Sequence, residues 1–214
     1  DIVIGMSDGL TVPFALAAGL SGAVDSSHII VIAGIAEIAA GSIAMGLGGY
    51  LSGKTEQDHY TNEVKREHFE VENLRQNEIE ETKEFFANIG LSEAIQNQAT
   101  EEIARDKDRW VDFMMKYELG LDKPDPKRAT KSALNIGFSY IAGGIIPLSP
   151  YFFISDVHEA LKISVIATLV CLFVFGYFKS RITGVNALWG AIRVTLIGAV
   201  AAGAAFTVAR IFEK

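Results

Sequence analysis

The sequence predicts an all-α integral membrane protein with five transmembrane helices and a helical cytosolic insert between spans two and three. Half of the 214 residues are hydrophobic, and the mean hydropathy is positive at +0.26. Five segments reach the roughly 20 apolar residues that a helix needs to cross a bilayer. The remaining long segment is polar and rich in Glu, with almost none of the apolar–polar alternation that strands show.

The five apolar segments carry at most two charged residues each. The predicted spans are Ile2–Val24, Ser27–Leu51, Ala129–Leu148, Ala160–Phe178 and Ala187–Ile211. They divide the chain into residues 1–53 with spans one and two, an acidic insert at 54–128, and residues 129–214 with spans three to five. The chain begins with Asp1 at the edge of a span, so we expect further residues before it.

The positions of Lys and Arg predict which loops face the cytosol. Cytosolic loops carry an excess of these residues close to the span ends. The loops at 25–26 and 149–159 have none, whereas Lys and Arg flank the start of span three and occur in the loop at 179–186. Because spans alternate in direction, the insert and the loop at 179–186 are predicted to face the cytosol.

The insert is predicted to contain a helix that ends at Gly90, then one or two helices between Ser92 and Gly120. Ser is a common residue at the start of a helix, and Gly is common just beyond its end. The segment LDKPDPKRAT then returns to the membrane without continuing the helix, because its prolines lack the N–H that a helix requires.

The acidic insert also limits the classes of partner. Between Ser52 and Arg128 there are 12 Lys and Arg against 19 Asp and Glu, which accounts for the whole formal charge of −7. Nucleic-acid binding favours clustered Lys and Arg. The composition therefore predicts no nucleic-acid partner and is compatible with the binding of cations.

Two carboxylates, Asp8 and Glu37, lie inside predicted spans. A central acid costs roughly 2.5–3.5 kcal/mol on insertion scales, and such residues usually face a cavity and line a path for ions or protons. Pro13 leaves the carbonyl of Gly9 without its helical hydrogen bond and predicts a kink beside Asp8. The alternative is that each acid makes a structural hydrogen bond between helices.

Met45 is predicted to lie at the same depth as Asp8. With the first hairpin turn centred near residues 25–27, positions whose numbers add up to about 53 are level. Glu37 is eight residues from Met45, about 12 Å along the helix, and nearer mid-membrane. A Met in a span is usually a packing residue, but beside a carboxylate its thioether suits a softer transition metal.

The insert contains two Glu-x-x-Glu pairs, Glu67 with Glu70 and Glu78 with Glu81. On one straight helix the pairs are about 16 Å apart, so one ion cannot bridge them. We therefore expect either more than one ion or a break in the helix. A solvated acidic face is the alternative.

The motif FMMKYE places Met114, Met115 and Glu118 together, and two adjacent Met side chains suit a solvent-exposed face poorly. Glu and Met together suit Fe²⁺, Mn²⁺ or Zn²⁺ better than Mg²⁺. A di-iron enzyme is the rival interpretation. It is disfavoured because four-helix di-iron sites use two Glu-x-x-His elements, whereas this chain has one, Glu56–His59.

The motifs DGLTVPFALAAGLSGA and AEIAAGSIAMGLGGYLS resemble the first two spans of the vacuolar iron transporter family. The resemblance extends through the Glu-rich insert and the three later spans, and it is greatest to plant members. It implies a homodimeric, proton-coupled antiporter in the vacuolar membrane that moves Fe²⁺, and often Mn²⁺, from cytosol to vacuole without a catalytic cofactor. A membrane-anchored metal sensor or metalloenzyme remains the alternative function.

The resemblance also implies roles for particular residues. It places Asp8, Glu37 and Met45 along the ion path. It implies a cytosolic metal-binding domain whose ligands are Glu67, Glu70, Glu78, Glu81, Met114, Met115 and Glu118.

Overall fold

The computed structural model describes residues 1–212, and every regular element in that range is an α-helix. The helices are α1 (Ile2–Ser21), α2 (Ser27–Asn73), α3 (Arg75–Asn88), α4 (Glu93–Ile103), α5 (Lys107–Tyr117), α6 (Arg128–Phe153), α7 (Val157–Ile182) and α8 (Ala187–Phe212). Five of them, α1, α2, α6, α7 and α8, are long and apolar enough to span a membrane. The predicted fold class and the number of spans are confirmed.

The chain forms two compact units. The membrane unit contains residues Asp1–Leu51 and the chain from Ala129 onward, and the insert unit contains Ser52–Arg128. Helix α2 contributes to both units, because it does not end at Leu51 as the apolar pattern predicts but continues to Asn73. The polar residues after the span include five Glu and two Lys, which favour a helix as strongly as most of the apolar residues before them.

Helix α6 is also longer than predicted, because it continues through Pro147 and Pro150 to Phe153. Pro150 cannot donate to the carbonyl of Ile146, but the Ser149 hydroxyl donates to that oxygen over 2.8 Å. The hydroxyl of Ser164 on α7 donates to the Pro147 carbonyl over 2.7 Å. The Ser149 hydroxyl thus supplies the donor that Pro150 lacks, and Ser164 adds a bond between α7 and α6. The loop before α7 has three residues, 154–156.

Helices α1 and α6 approach each other through glycine. Gly5 lies against the backbone of Ile136, and Gly9 lies against the backbone of Tyr140, with no room for a Cβ atom at either glycine. Small residues of this kind allow helix backbones to pack closely in lipid, where the hydrophobic effect gives no drive for association. This contact holds the segment around Asp8 against α6.

Two apolar clusters complete the membrane unit. One joins α1, α2, α6 and α7, and its buried members are Ala17, Ile30, Ile38, Leu148, Tyr151, Val157 and Ala160. The other lies where α1 meets α7 and α8, around Phe14, Ala18 and Ala202.

The insert unit has its own core, formed where the end of α2 meets α3, α4 and α5. The buried members of this core are Val71, Ala104, Trp110, Val111, Met114 and Met115. The predicted helix ends are confirmed: Gly90 and Gly120 have positive φ angles of 89° and 64°, and Ser92 is the N-cap of α4. No helix occurs between α5 and α6, in agreement with the prolines of that segment.

The glycine contact between α1 and α6 gives a direct test. We expect Gly5→Ala to lower the thermal unfolding midpoint of the purified protein, because its methyl group would overlap the Ile136 backbone. Overpacking of this kind costs about 1–3 kcal/mol. Gly203→Ala on α8 is the control, since a methyl group there meets no atom within 4 Å. Equal midpoints for the two variants would contradict the close approach.

Candidate metal-ion sites

The Glu37 carboxylate on α2 is held by Tyr140 on α6. The Tyr140 hydroxyl donates a short hydrogen bond to Oε1 of Glu37. The second oxygen, Oε2, is buried and accepts no hydrogen bond from any described residue. A buried oxygen without a donor is costly in a low-dielectric setting, so this atom has the chemistry to hold a proton or a cation.

Asp8 lies near the same tyrosine. It is half-buried on α1 and interacts electrostatically with the Tyr140 side chain, and the neighbouring Gly9 lies against the Tyr140 backbone. Both intramembrane acids therefore lie on helices that pack against α6 around Tyr140, and Glu37 accepts a hydrogen bond from its hydroxyl group. Met45 is half-buried on α2. Its position level with Asp8, and its role in an ion path, stay predictions.

Tyr140 is the residue of this site that sequence reasoning missed. Its side chain fits because Gly41 leaves space on α2: a Cβ atom there would lie 2.5 Å from the Tyr140 hydroxyl oxygen. The available signal was a buried polar ring in the middle of an apolar span, which needs a partner for its hydroxyl group.

A second site lies in the insert unit. Carboxylate oxygens of Glu67, Glu78 and Glu118 all lie within 4.8 Å of one another. Glu67 and Glu78 are buried, with 1% and 3% of their surface exposed, and each has a buried oxygen that accepts no hydrogen bond from a described residue. Glu118 is exposed. Three converging carboxylate oxygens, two of them from buried residues, are suited to a divalent cation such as Fe²⁺ or Mn²⁺.

The convergence depends on a break in the helix. Helix α2 ends at Asn73 and α3 begins at Arg75, and the intervening Leu74 has a non-helical φ of −120°. The chain changes direction there, which brings Glu78 back to Glu67. Of the two arrangements expected for the Glu-x-x-Glu pairs, the structure has the broken helix.

Burial and mutual repulsion change the protonation of this cluster. Burial, followed by the negative charges of Glu118 and Glu70, raises the pKa of Glu67 to about 7. Burial, followed by the charges of Glu81 and Glu67, raises the pKa of Glu78 to about 7. The pKa of Glu118 is also raised, by burial of its carboxyl group and then by Glu81 and Glu70. Without a cation, the cluster therefore retains protons near neutral pH.

Glu70 and Glu81 contribute negative charge to the cluster without joining the group of converging oxygens. Arg66 offsets part of this charge, with nitrogen–oxygen distances of 3.6 Å to Glu67 and 3.5 Å to Glu70. Three charged side chains around a carboxylate triad make its metal affinity sensitive to small changes in charge. Direct ligation by Glu70 and Glu81 stays a prediction.

Met114 and Met115 are each 1% exposed and lie in the apolar core of the insert unit. The Met114 sulfur accepts a hydrogen bond from Thr82 at 3.4 Å, and Thr82 also accepts one from the Trp110 ring nitrogen at 2.9 Å. The core explains why two adjacent Met occur in a charged helix. Their role as metal ligands stays a prediction.

The rival di-iron pattern finds no support around its single Glu-x-x-His element. The Glu56 carboxylate is 2.5 Å from the Arg128 side chain and is engaged in an ion pair. His59 is exposed and lies 3.7 Å from Glu63. Neither residue belongs to the carboxylate group that converges among residues 1–212.

Comparison with known proteins identifies similar sequences over the whole chain. Residues 1–210 match the VIT family. The chain is 51% identical over 214 residues to vacuolar iron transporter 1 of Tulipa gesneriana, covering 100% of this chain and 87% of the relative. It is 50% identical over 213 residues to vacuolar iron transporter 1 of Arabidopsis thaliana, covering 100% and 85%. Protein CCC1 of Saccharomyces cerevisiae is 42% identical over 215 residues, covering 96% and 66%.

Metal binding by the insert should weaken as the pH falls through about 7. Below that value protons compete for Glu67 and Glu78, so we expect affinity to fall up to about tenfold per pH unit for each proton displaced. Calorimetric titration of the full chain with Mn²⁺ would measure this, in a Glu37→Gln background that weakens the membrane site.

The matched variants for this titration are Glu78→Gln and Glu84→Gln, both on α3. Glu78→Gln should reduce the affinity and the number of protons released, whereas Glu84 is exposed and should be replaceable without effect. Titrations that do not depend on pH, or that are the same for both variants, would contradict the assignment of the cluster.

Proposed function

Because the chain belongs to the VIT family, we propose that it is a multi-pass transporter that moves Fe²⁺ into the vacuole in exchange for protons. Relatives that match essentially the whole chain are named vacuolar iron transporters, and they are transporters rather than enzymes. Their names support iron as the substrate and the vacuolar membrane as the location. The metalloenzyme interpretation is therefore set aside.

One observation carries the proposal: Glu37 lies inside a membrane-spanning helix and retains a buried oxygen without a donor. The second intramembrane acid, Asp8, is next to Gly9, which packs against the Tyr140 backbone. A sensor or an enzyme anchored by these helices needs no acids at that depth. Acids inside spans are costly, and they occur where ions or protons cross the membrane.

A carboxylate away from water can exchange a proton for a metal ion. It favours its protonated form while no cation is near, and it favours the ionised form when a cation binds. Fe²⁺ that reaches Asp8 and Glu37 from the cytosol would displace protons, and protons from an acidic vacuole would displace Fe²⁺. We propose that Met45 contributes a thioether that favours Fe²⁺ over harder cations.

The insert unit would collect metal on the cytosolic side. Its ligands would be the converging carboxylates of Glu67, Glu78 and Glu118, with Glu70 and Glu81 adding charge and Met114 and Met115 adding softer donors. This donor set would also accept Mn²⁺ and Zn²⁺. The cytosolic orientation of the insert rests on Lys and Arg near the span ends.

We also propose that the transporter is a homodimer. A row of small residues on α2 is exposed in the single chain rather than packed against another helix; its members are Ala36, Ala40, Ala44 and Gly48. Small residues at every fourth position allow close packing of two helices in lipid. A second copy of α2 is the partner that this row fits.

Replacement of Asp8 tests the transport mechanism. Asp8→Asn keeps the shape of the side chain but removes its charge, so we expect uptake driven by a pH gradient to be lost, and Glu37→Gln should have the same effect. The measurement is Fe²⁺ uptake into proteoliposomes with and without an imposed pH gradient. Asp25→Asn, in the exposed loop after α1, is the matched control and should transport normally.

The result that would overturn this mechanism is uptake by Asp8→Asn at the wild-type rate under the same gradient. Uptake by the wild-type protein that does not depend on the gradient would instead overturn proton coupling alone.

Tyr140→Phe tests how Glu37 is held. The variant keeps the ring but removes the hydroxyl that donates to Glu37. Hydrogen bonds to charged groups contribute about 1.5–3 kcal/mol, so we expect the KM for Fe²⁺ to rise about tenfold or more. Tyr177→Phe on α7 is the control. An unchanged KM in Tyr140→Phe would show that the hydroxyl does not position the carboxylate.

A further inference from the structure

The segment of residues 160–212 has positive charge without negative charge. From Ala160 to Phe212 the sequence contains five Lys and Arg residues and no Asp or Glu. Two of these cations, Lys179 near the end of α7 and Arg193 on α8, line one cavity of about 510 Å³ between the two helices. We refer to it as the α7–α8 cavity. Neither cation forms an ion pair with any described residue.

Close packing of α7 and α8 forms one side of this cavity. Gly190 lies against the Ser180 side chain. A Cβ atom at Gly176 would lie 2.9 Å from the Ala191 backbone. The carbonyls at the end of α7 are already satisfied, because the Thr183 hydroxyl donates to Lys179 and Ser180, and the Val185 N–H donates to Ser180. The backbone carbonyls therefore do not engage the side chains of Lys179 and Arg193 as hydrogen-bond donors.

The depth of Arg193 indicates where its charge must go. It lies six residues after Ala187, the first residue of α8, which is about 9 Å along the helix. A cation without a counter-charge is costly at that depth, and long side chains near helix ends extend toward the headgroup layer. The anion that is present at that level in every membrane is the lipid phosphate.

The other walls favour a lipid over a free anion. Trp189 is 67% exposed and lines the cavity, and tryptophan is enriched at the level of the headgroups. Val194 and Ile197 continue the lining along α8 below Arg193, and Ile197 is 57% exposed. A phosphate between the two cations would therefore have an apolar surface beside it for an acyl chain.

We propose that the α7–α8 cavity binds the phosphate headgroup of an anionic lipid, with the acyl chain along Val194 and Ile197. The site requires only that α7 and α8 span a membrane, and it is separate from the acids at Tyr140. In the proposed orientation the cavity faces the cytosolic leaflet, where anionic lipids attract basic residues next to the membrane.

The test measures lipid retained by the purified full-length protein. After delipidation in detergent, the protein is titrated with dioleoylphosphatidylglycerol or with dioleoylphosphatidylcholine, which has the same chains but no net charge. Native mass spectrometry counts the bound lipid. We expect the anionic lipid to bind more tightly to the wild-type protein and to raise its unfolding temperature, and we expect about 1 M salt to weaken that binding.

The variants identify the residues. Lys179→Gln and Arg193→Gln should each weaken binding of the anionic lipid about fivefold, and the double variant should lose the preference for it. Lys162→Gln is the matched control, because Lys162 lies at the other end of α7 and pairs with Glu159 at 2.8 Å. Lys179 is exposed, so its replacement leaves helix packing intact, and Arg193→Lys should retain most of the binding.

Three outcomes would overturn the proposal. Equal binding of the two lipids would exclude a site for negative charge. Loss of binding in Lys162→Gln to the same extent as in the cavity variants would indicate a general effect of charge. Stabilisation by inorganic phosphate or glycerol 3-phosphate at the same concentration would identify a site for soluble anions. Fe²⁺ uptake measured on the same variants is independent, so failure of the lipid site and failure of transport are distinguishable.

Discussion

Polar groups within the membrane unit must find their hydrogen-bond partners inside the protein, because hydrocarbon offers none. The helices pair the backbone N–H and C=O groups with each other, and side-chain hydroxyls donate to backbone carbonyls near the prolines of α6. The carbonyls of Ile146 and Pro147 receive donors from Ser149 and Ser164. The Glu37 carboxylate is the informative departure from this rule, since Tyr140 satisfies one oxygen and leaves the other without a donor. A polar atom left without a partner at this depth is the observation on which the proposed transport role of Glu37 rests.

On the proposed function, the two carboxylate sites would use different physical means to hold an exchangeable cation. In the membrane unit, Glu37 and Asp8 are two acids in otherwise apolar helices, and Glu37 accepts a hydrogen bond from Tyr140. In the insert unit, many acids are concentrated, and repulsion among them adds to burial in favouring protonation of Glu67 and Glu78. In both settings a bound metal ion would supply the positive charge that the ionised carboxylates lack in the free protein. Cation and proton would therefore compete for the same oxygens.

Much of the fold could be predicted because hydrophobic length determines a membrane span directly. The five spans, the helix ends at Gly90 and Gly120, and the non-helical return to the membrane all follow from local composition. The extension of α6 through two prolines was not predicted, because prolines usually end a helix. The Ser149 hydroxyl replaces the donor that Pro150 lacks, and Ser164 on α7 adds a bond to the Pro147 carbonyl.

The residues of the two candidate metal-ion sites were predictable to a similar degree. The acids could be identified from residue type and context, and a broken helix was one of two expected arrangements. The position of the break could not be identified, because Leu74 is neither Gly nor Pro and has no helix-breaking tendency of its own. Tyr140 was missed because the order of spans along the chain does not reveal that α6 lies beside α2.

If the cluster binds metal as proposed, the break at Leu74 would also affect how long the insert survives in a cell. Glu67, Glu78 and Glu118 come from the end of α2, from α3 and from the C-cap of α5, so an ion shared by all three ties together helices that are otherwise held by a small core. A ligand that binds only the folded state stabilises it by about 2.7 kcal/mol at a hundredfold excess over its Kd. Resistance of the insert to local opening and to proteolysis would then rise with cytosolic metal. Through that linkage, the amount of transporter would follow the supply of its substrate without any separate regulator.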